Sequence, residues 1–161
     1  MPKYRPNVGV VVFNKEKKVL LCQRNGMSSF CSWQFPQGGI ELEEDAVAAG
    51  LRELKEETSV ISVRFVAKHK KLLRYDFPKE KTTFYKKPDK WNYIGQEQTW
   101  ILLYFYGNDA EINLKTSEQE FSNYRWSSFS DAIEKVWEVK REVYKQVREY
   151  FEPIVEDYIV E

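Results

Sequence analysis

Apolar and polar positions change period several times along this chain. Residues 8–13 (Val8-Gly9-Val10-Val11-Val12-Phe13) form a short apolar run of the kind a buried strand requires. The polar stretch 14–18 predicts a turn and 19–24 a returning strand, so the two runs predict a hairpin. Residues 25–32 are expected to form a loop. Trp33-Gln34-Phe35-Pro36 then approaches Gly38-Gly39 as an extended segment. Over 44–58 the period becomes helical, with Ala46, Val47, Leu51 and Leu54 offering an apolar side to a sheet. Residues 60–67 and 72–75 are strand-like. The charged, turn-rich segment 79–92, flanked by Pro78 and containing Pro88, is expected to be a mobile loop or a poorly ordered hairpin. Residues 99–106 predict a central strand, 123–126 a short strand and 131–136 a short helix. Residues 139–158 predict a long amphipathic helix with Pro153 as a candidate break. One helix inside the strand order and another at its end predict an α/β fold, an α/β/α sandwich with a mixed β-sheet. With no repeat, linker or second apolar core, 1–161 reads as a single domain.

Composition narrows the chemistry. Lys+Arg and Asp+Glu are equal at 25 each among 161 residues, so no general basic field exists and phosphate recognition must be local. Two cysteines, Cys22 and Cys31, make neither a disulfide framework nor a metal spacing, and they read as reduced thiols of a cytoplasmic protein. The one histidine, His69, lies in Lys68-His69-Lys70-Lys71 and is expected at the surface, which argues against triads and zinc sites. No 18-residue apolar stretch exists, so no membrane span is expected.

The most informative segment is 38–60. It reads Gly38, five residues, Glu44, seven residues, Arg52-Glu53-Leu54-Lys55-Glu56-Glu57-Thr58-Ser59-Val60. Glu53, Glu56 and Glu57 stand at i, i+3 and i+4 and share one helix face. Three anions on one turn repel each other unless a hard divalent cation binds, and carboxylate oxygens are what Mg²⁺ takes. Gly38-Gly39 ahead of the helix permits close backbone approach.

This segment resembles the Nudix box, Gly-x5-Glu-x7-Arg-Glu-U-x-Glu-Glu-x-Gly-U, where U is a bulky aliphatic, with Ser59 in place of the second Gly. Chance agreement at eight positions is on the order of 10⁻⁸ from ordinary residue frequencies. The resemblance implies the Nudix fold and hydrolysis of phosphoric anhydrides with Mg²⁺ or Mn²⁺. It implies that Glu53, Glu56 and Glu57 bind metal, the Gly38 carbonyl assisting. Arg52 would hold a glutamate of the box, and Glu44 and Gly39 would support the helix start. Glu120, in the loop before residue 123, is the candidate general base and a further metal ligand.

The flanks extend the resemblance from Tyr4 to about Tyr150. Tyr4-Arg5-Pro6-Asn7-Val8-Gly9-Val10, Ser32-Trp33-Gln34-Phe35-Pro36-Gln37-Gly38-Gly39, Leu73-Arg74-Tyr75, Ile94-Gly95-Gln96-Glu97-Gln98-Thr99-Trp100 and Val136-Trp137-Glu138-Val139-Lys140-Arg141 carry it. The series is similar to the bacterial RNA 5′-pyrophosphohydrolase and dinucleoside polyphosphate hydrolase branch, some members of which bear an invasion-protein label. That branch implies removal of pyrophosphate from 5′-triphosphorylated RNA by water attack on phosphorus, or cleavage of dinucleoside polyphosphates. A non-catalytic nucleotide-binding module is the distant alternative. Arg5, Arg24 and Lys140 are the candidate phosphate-binding cations, with Ser32, Gln37, Trp137 and Val139 completing the candidate substrate wall. Val139 stands where RNA-cleaving members carry a Phe, and Trp137, two residues earlier, is the candidate stacking face. The sequence names no protein partner.

Overall fold

The computed structural model describes residues 3–78 and 93–160, so the expectation for 79–92 lies outside the described residues. In chain order the elements are β1 (Tyr4–Phe13), β2 (Val19–Arg24), β3 (Trp33–Gln34), β4 (Gln37–Gly39), α1 (Ala46–Thr58), β5 (Val63–Lys68), β6 (Leu73–Asp76), β7 (Gly95–Phe105), β8 (Phe121–Ser127), α2 (Phe129–Lys135) and α3 (Arg141–Asp157). Short 3₁₀ turns at Asp109–Glu111 and Glu138–Lys140 join some of them.

The spine of the sheet is β1 lying parallel to β7, in register from Tyr4↔Gly95 to Phe13↔Tyr104. β2 closes the expected hairpin at Phe13↔Val19 and pairs antiparallel with both β3 and β8. β4 lies antiparallel on the first half of β1, and β5 and β6 lie antiparallel on β7. The sheet is therefore mixed, as the pattern predicts.

Alternation along β1 divides the core in two. Val8, Val10 and Val12 join Ile101, Leu103, Ala49 and Leu54 on the α1 side. Val11 and Phe13 join Trp100, Leu102, Val143, Tyr144, Val147 and Phe151 on the α3 side. The two clusters lie on opposite faces, which is the sandwich. Tyr144 also fixes the link between β3 and β4, its hydroxyl oxygen accepting the Phe35 N–H at 2.9 Å. No helix among the described residues is long and apolar enough to cross a membrane.

Four expectations are corrected. Leu51 is 40% exposed, and Ala49 and Gly50 take its place against the sheet. The central strand begins at Gly95 rather than 99, because Gln96 and Gln98 are buried polar residues that an apolar-run criterion passes over. The last helix continues through Pro153. An interior proline costs about 3 kcal/mol, but Phe151 and Val155 on either side are buried, at roughly 1.5–3 kcal/mol each. His69 is only 8% exposed. Its ring packs 4.5 Å from that of Tyr150, and its Nδ1 accepts the Lys71 N–H at 3.1 Å.

Candidate active site

The glutamate face of α1 is fixed at both ends. Asp45 caps the start, accepting the Ala48 N–H at 3.0 Å, so Glu44 lies just outside the helix. Ser59 caps the end in the left-handed conformation, φ 67°, its N–H donating to the Lys55 carbonyl. Its hydroxyl donates to the Asn113 carbonyl at 2.8 Å, a bond that Gly would lack.

Between these caps Arg52 organises the acidic side chains. Its guanidinium donates to both oxygens of Glu44 (2.8 and 2.9 Å), to Glu53 (3.0 Å), to Glu56 (3.3 Å) and to the Gly39 carbonyl (3.0 Å). Arg52 holds the Glu44 carboxyl down at about 2. Glu53 is raised by burial, against the pull of Arg52. Glu57 is 6% exposed and is pushed well above the ordinary carboxylate range by burial, then by the charges of Glu53 and Glu120. The two glycines serve these side chains. A Cβ at Gly38 would overlap the Glu53 carboxylate, and one at Gly39 would meet the Arg5 guanidinium.

These groups open onto a cleft of about 900 Å³. Glu53, Glu56, Glu57, Gly38, Gly39 and Glu120 contribute to its lining, as do Arg5, Arg24, Gln37, Trp137 and Lys140. Glu120 comes from the loop before β8. The Asn25 N–H donates to its carbonyl at 2.8 Å and the Asn25 side chain to the Gln119 carbonyl at 3.2 Å. Lys140 is 5% exposed, and its Nζ donates to Gln37 Oε1 at 3.1 Å. No carboxylate among the described residues lies within 4.0 Å of that ammonium. Burial, then the charge of Arg24, lower it to about 7. A buried cation with no carboxylate in contact among the described residues is a place made for an anion.

Two expected wall residues are elsewhere. Ser32 is buried beneath the loop, its hydroxyl donating to the Ser29 carbonyl at 2.6 Å. Val139 packs against the α3-side core. Arg52 and Glu44 stand behind the lining. Sequence reasoning overlooked the cleft floor, where Gln98 donates to Asn7 (2.8 Å) and to Gln37 (3.2 Å) beside Tyr75 and Gln96. The one available signal was the polar start of β7, Gln96-Glu97-Gln98, ahead of an apolar run.

The NUDIX domain model matches residues 3–147, and the chain belongs to the Nudix family. Among curated relatives it is 43% identical over 151 residues to an RNA pyrophosphohydrolase of Klebsiella pneumoniae (strain 342), covering 92% of this chain and 82% of that protein. It is 42% identical to one of Roseobacter denitrificans, covering 92% of each, and 38% identical to one of Wolbachia pipientis, covering 98% and 94%. Solved structures agree in fold. The Escherichia coli dihydroneopterin triphosphate pyrophosphohydrolase superposes with a TM-score of 0.64 at 20% identity, over 89% of this chain and 95% of that one. A Caenorhabditis elegans Ap4A hydrolase complex gives 0.64 at 18%, over 92% and 98%.

Nudix hydrolases generally use divalent metal ions. The chemistry of the box fits one, since its donors are carboxylate oxygens. Glu57 Oε2 is buried without a hydrogen-bond partner, and Glu57 is crowded by two like charges. In the present conformation no three acidic, thiol or imidazole side chains among the described residues converge tightly enough to enclose a cation. The reason is visible: Glu53 and Glu56 are turned toward Arg52. The 58% exposed Glu56 side chain has room to rotate.

Proposed function

We propose that this chain is a metal-dependent RNA 5′-pyrophosphohydrolase of the cytoplasm, its whole length serving as one Nudix domain. Water would attack a phosphorus of the 5′-triphosphate, the anhydride bond would break, and pyrophosphate would leave from a 5′-monophosphorylated RNA. The observation that carries this reading is the cleft, which sets Glu53, Glu56 and Glu57 against Lys140, Arg5 and Arg24. That is an acidic platform facing a basic wall, the layout a metal-bound polyphosphate needs. RNA is favoured as the substrate by the names of relatives about 40% identical over most of the chain.

Glu53, Glu56 and Glu57 would hold Mg²⁺ or Mn²⁺ with help from the Gly38 carbonyl and Glu120. The cation supplies charge neutralisation on phosphate and a lowered pKa for water. Arg52 orients Glu53 and Glu56 through its ion pairs with them. Glu120 is the candidate to accept the proton of the attacking water. Lys140, Arg5 and Arg24 would bind phosphate oxygens.

A second reading, cleavage of a dinucleoside polyphosphate by the same site, is favoured by aromatic residues in two parts of the cleft lining: Phe77 and Tyr93 near β6 and β7, and Trp137 before α3. The distinguishing experiment is side-by-side turnover of triphosphorylated RNA and a dinucleoside pentaphosphate with Mg²⁺ in H₂¹⁸O. The proposal expects pyrophosphate and monophosphorylated RNA as products. Turnover of the dinucleotide alone would replace it with the second reading, and turnover of neither would overturn both.

A further inference from the structure

β5 ends the sheet beyond β7, and among the described residues no strand pairs with its outer edge. The ladder fixes which of its backbone groups point outward. The Ser62 carbonyl accepts the Tyr106 N–H at 3.0 Å, and the Trp100 carbonyl accepts the His69 N–H at 2.9 Å. Bonded and unbonded pairs alternate along an antiparallel ladder, so Arg64 meets Tyr104, and Ala67 meets Leu102, as bonded pairs. Phe65 and Lys68 therefore turn their N–H and C=O groups away from β7. Their side chains lie on the α1 side, opposite Leu103 and Ile101. Neither is covered: Phe65 is 48% exposed, and Lys68 is exposed as well.

The charges along this edge have one sign. Residues 62–73 carry Arg64, Lys68, Lys70 and Lys71 and no acid, in a chain with 25 charges of each sign. None of the four forms an ion pair among the described residues; Arg64 and Lys70 lie over the Tyr106 and Tyr150 rings, each 5.8 Å from the centroid. The nearby Glu111 is occupied at the strand's start, its carboxylate accepting the Ile61 and Ser62 N–H groups at 2.7 and 2.8 Å. Lysines and bulges keep a sheet edge from pairing with its own kind, and β5 has a bulge between Phe65 and Ala67. Two β5 edges brought together would set the cations of one copy against those of the other, and like charges on facing strands repel. A strand of opposite charge meets the reverse situation. The same lysines attract it, and the outward backbone groups bond it.

We propose that the outer edge of β5 docks an extended acidic segment of a partner protein, which adds a strand to the sheet. Its backbone bonds the outward groups of Phe65 and Lys68, an apolar side chain covers the Phe65 ring, and its carboxylates face Lys68, Lys70 and Lys71. Nucleic acid carries the charge but has no peptide N–H and C=O row to continue the ladder. None of these residues lines the cleft. Docking is thus separable from hydrolysis and does not depend on which substrate the cleft takes.

The probe is an acetylated, amidated eight-residue peptide alternating Glu and Val, added to the full-length ¹⁵N-labelled protein and followed through the amide resonances. Saturable shifts centred on Phe65 and Lys68 are expected, with slowed hydrogen exchange at those two amides. The triple variant Lys68→Glu, Lys70→Glu, Lys71→Glu should bind the peptide about 10-fold or more weakly, since three attractive cross-strand pairs become repulsive. It should bind a Lys–Val peptide instead, which also shows that its edge is still folded, and its melting temperature should not change. No saturable shift at millimolar peptide overturns the proposal. Shifts without slowed exchange at Phe65 and Lys68 overturn it as well, because they mean charge attraction without strand pairing. Displacement of the peptide by an equal concentration of single-stranded RNA octamer assigns the patch to nucleic acid. Dimerisation of the wild type that protects the same two amides gives the edge to a second copy. Either result removes the acidic segment as its occupant.

Discussion

Replacing Lys140 with Met should make the metal-free protein more stable and less active. The ammonium is buried, donates to one amide oxygen and forms no ion pair among the described residues. Its affinity for a proton is lowered from the ordinary 10.5 to about 7, first by burial and then by Arg24. At about 1.4 kcal/mol per pH unit, this lowering corresponds to roughly 5 kcal/mol of folding stability forgone near and below neutrality. Met fills a similar volume without charge. After subtracting about 1 kcal/mol for the lost bond to Gln37, Lys140→Met should gain on the order of 3–4 kcal/mol at pH 7. The sign with pH follows from proton counts. Between pH 7 and 10.5 the unfolded chain binds a proton at Lys140 that the folded chain does not, so wild-type stability gains from rising pH through this group. The advantage of the variant should therefore shrink by about 1.4 kcal/mol per unit across that window. Made in a Glu57→Gln background, the difference between the two proteins removes other titrating groups, such as Cys22, to first order and keeps the Glu57 charge, which acts on Lys140, out of the comparison. Urea unfolding in EDTA at pH 7, 8 and 9 measures it. In parallel, kcat/KM on triphosphorylated RNA should fall about 10- to 150-fold, because a charge-assisted bond to phosphate is worth about 1.5–3 kcal/mol. A variant less stable than wild type at pH 7, or an advantage independent of pH, would refute the description of Lys140 as an uncompensated buried cation.

Glu57→Gln should reduce turnover by about 10²–10⁴ at saturating Mg²⁺ while leaving metal-free stability unchanged or higher, since Glu57 is already driven toward its neutral form; turnover assays paired with melts in EDTA check both halves. Mg²⁺ should raise the melting temperature of the wild type by binding the folded state alone and raise that of Glu57→Gln much less, an equal rise in both counting against the carboxylate platform. Ser59→Gly should change stability by less than about 1 kcal/mol, because relief of left-handed strain is offset by loss of the hydroxyl bond to Asn113, as chemical denaturation can verify. Trp137→Ala should lower kcat/KM about 5- to 150-fold through lost stacking and also cost some stability, because the ring is half-buried against the α3-side core as well as lining the cleft; unchanged kinetics in a stable variant would remove Trp137 from the substrate wall.

Local periodicity and spacing determined much of this protein. The alternation in Val8 to Phe13 already contained both faces of the sheet, because successive side chains of a strand must point to opposite sides. The i, i+3, i+4 spacing of Glu53, Glu56 and Glu57 placed three carboxylates on one helix face whatever surrounds the helix, and the box around them carried the family. What the sequence left open depended on partners distant along the chain. Nothing near His69 announces that Tyr150 will cover it, and nothing near Pro153 shows that Phe151 and Val155 are anchored firmly enough to keep the helix intact. Leu51 has the right spacing for the core but falls on its rim, where Ala49 and Gly50 approach the sheet instead. Lys140 looks like any helix-start lysine until β6, Gln37 and Arg24 enclose it, and only that enclosure removes its water. Burial and electrostatic environment are sums over residues brought together from across the fold, so the tertiary structure alone decides them.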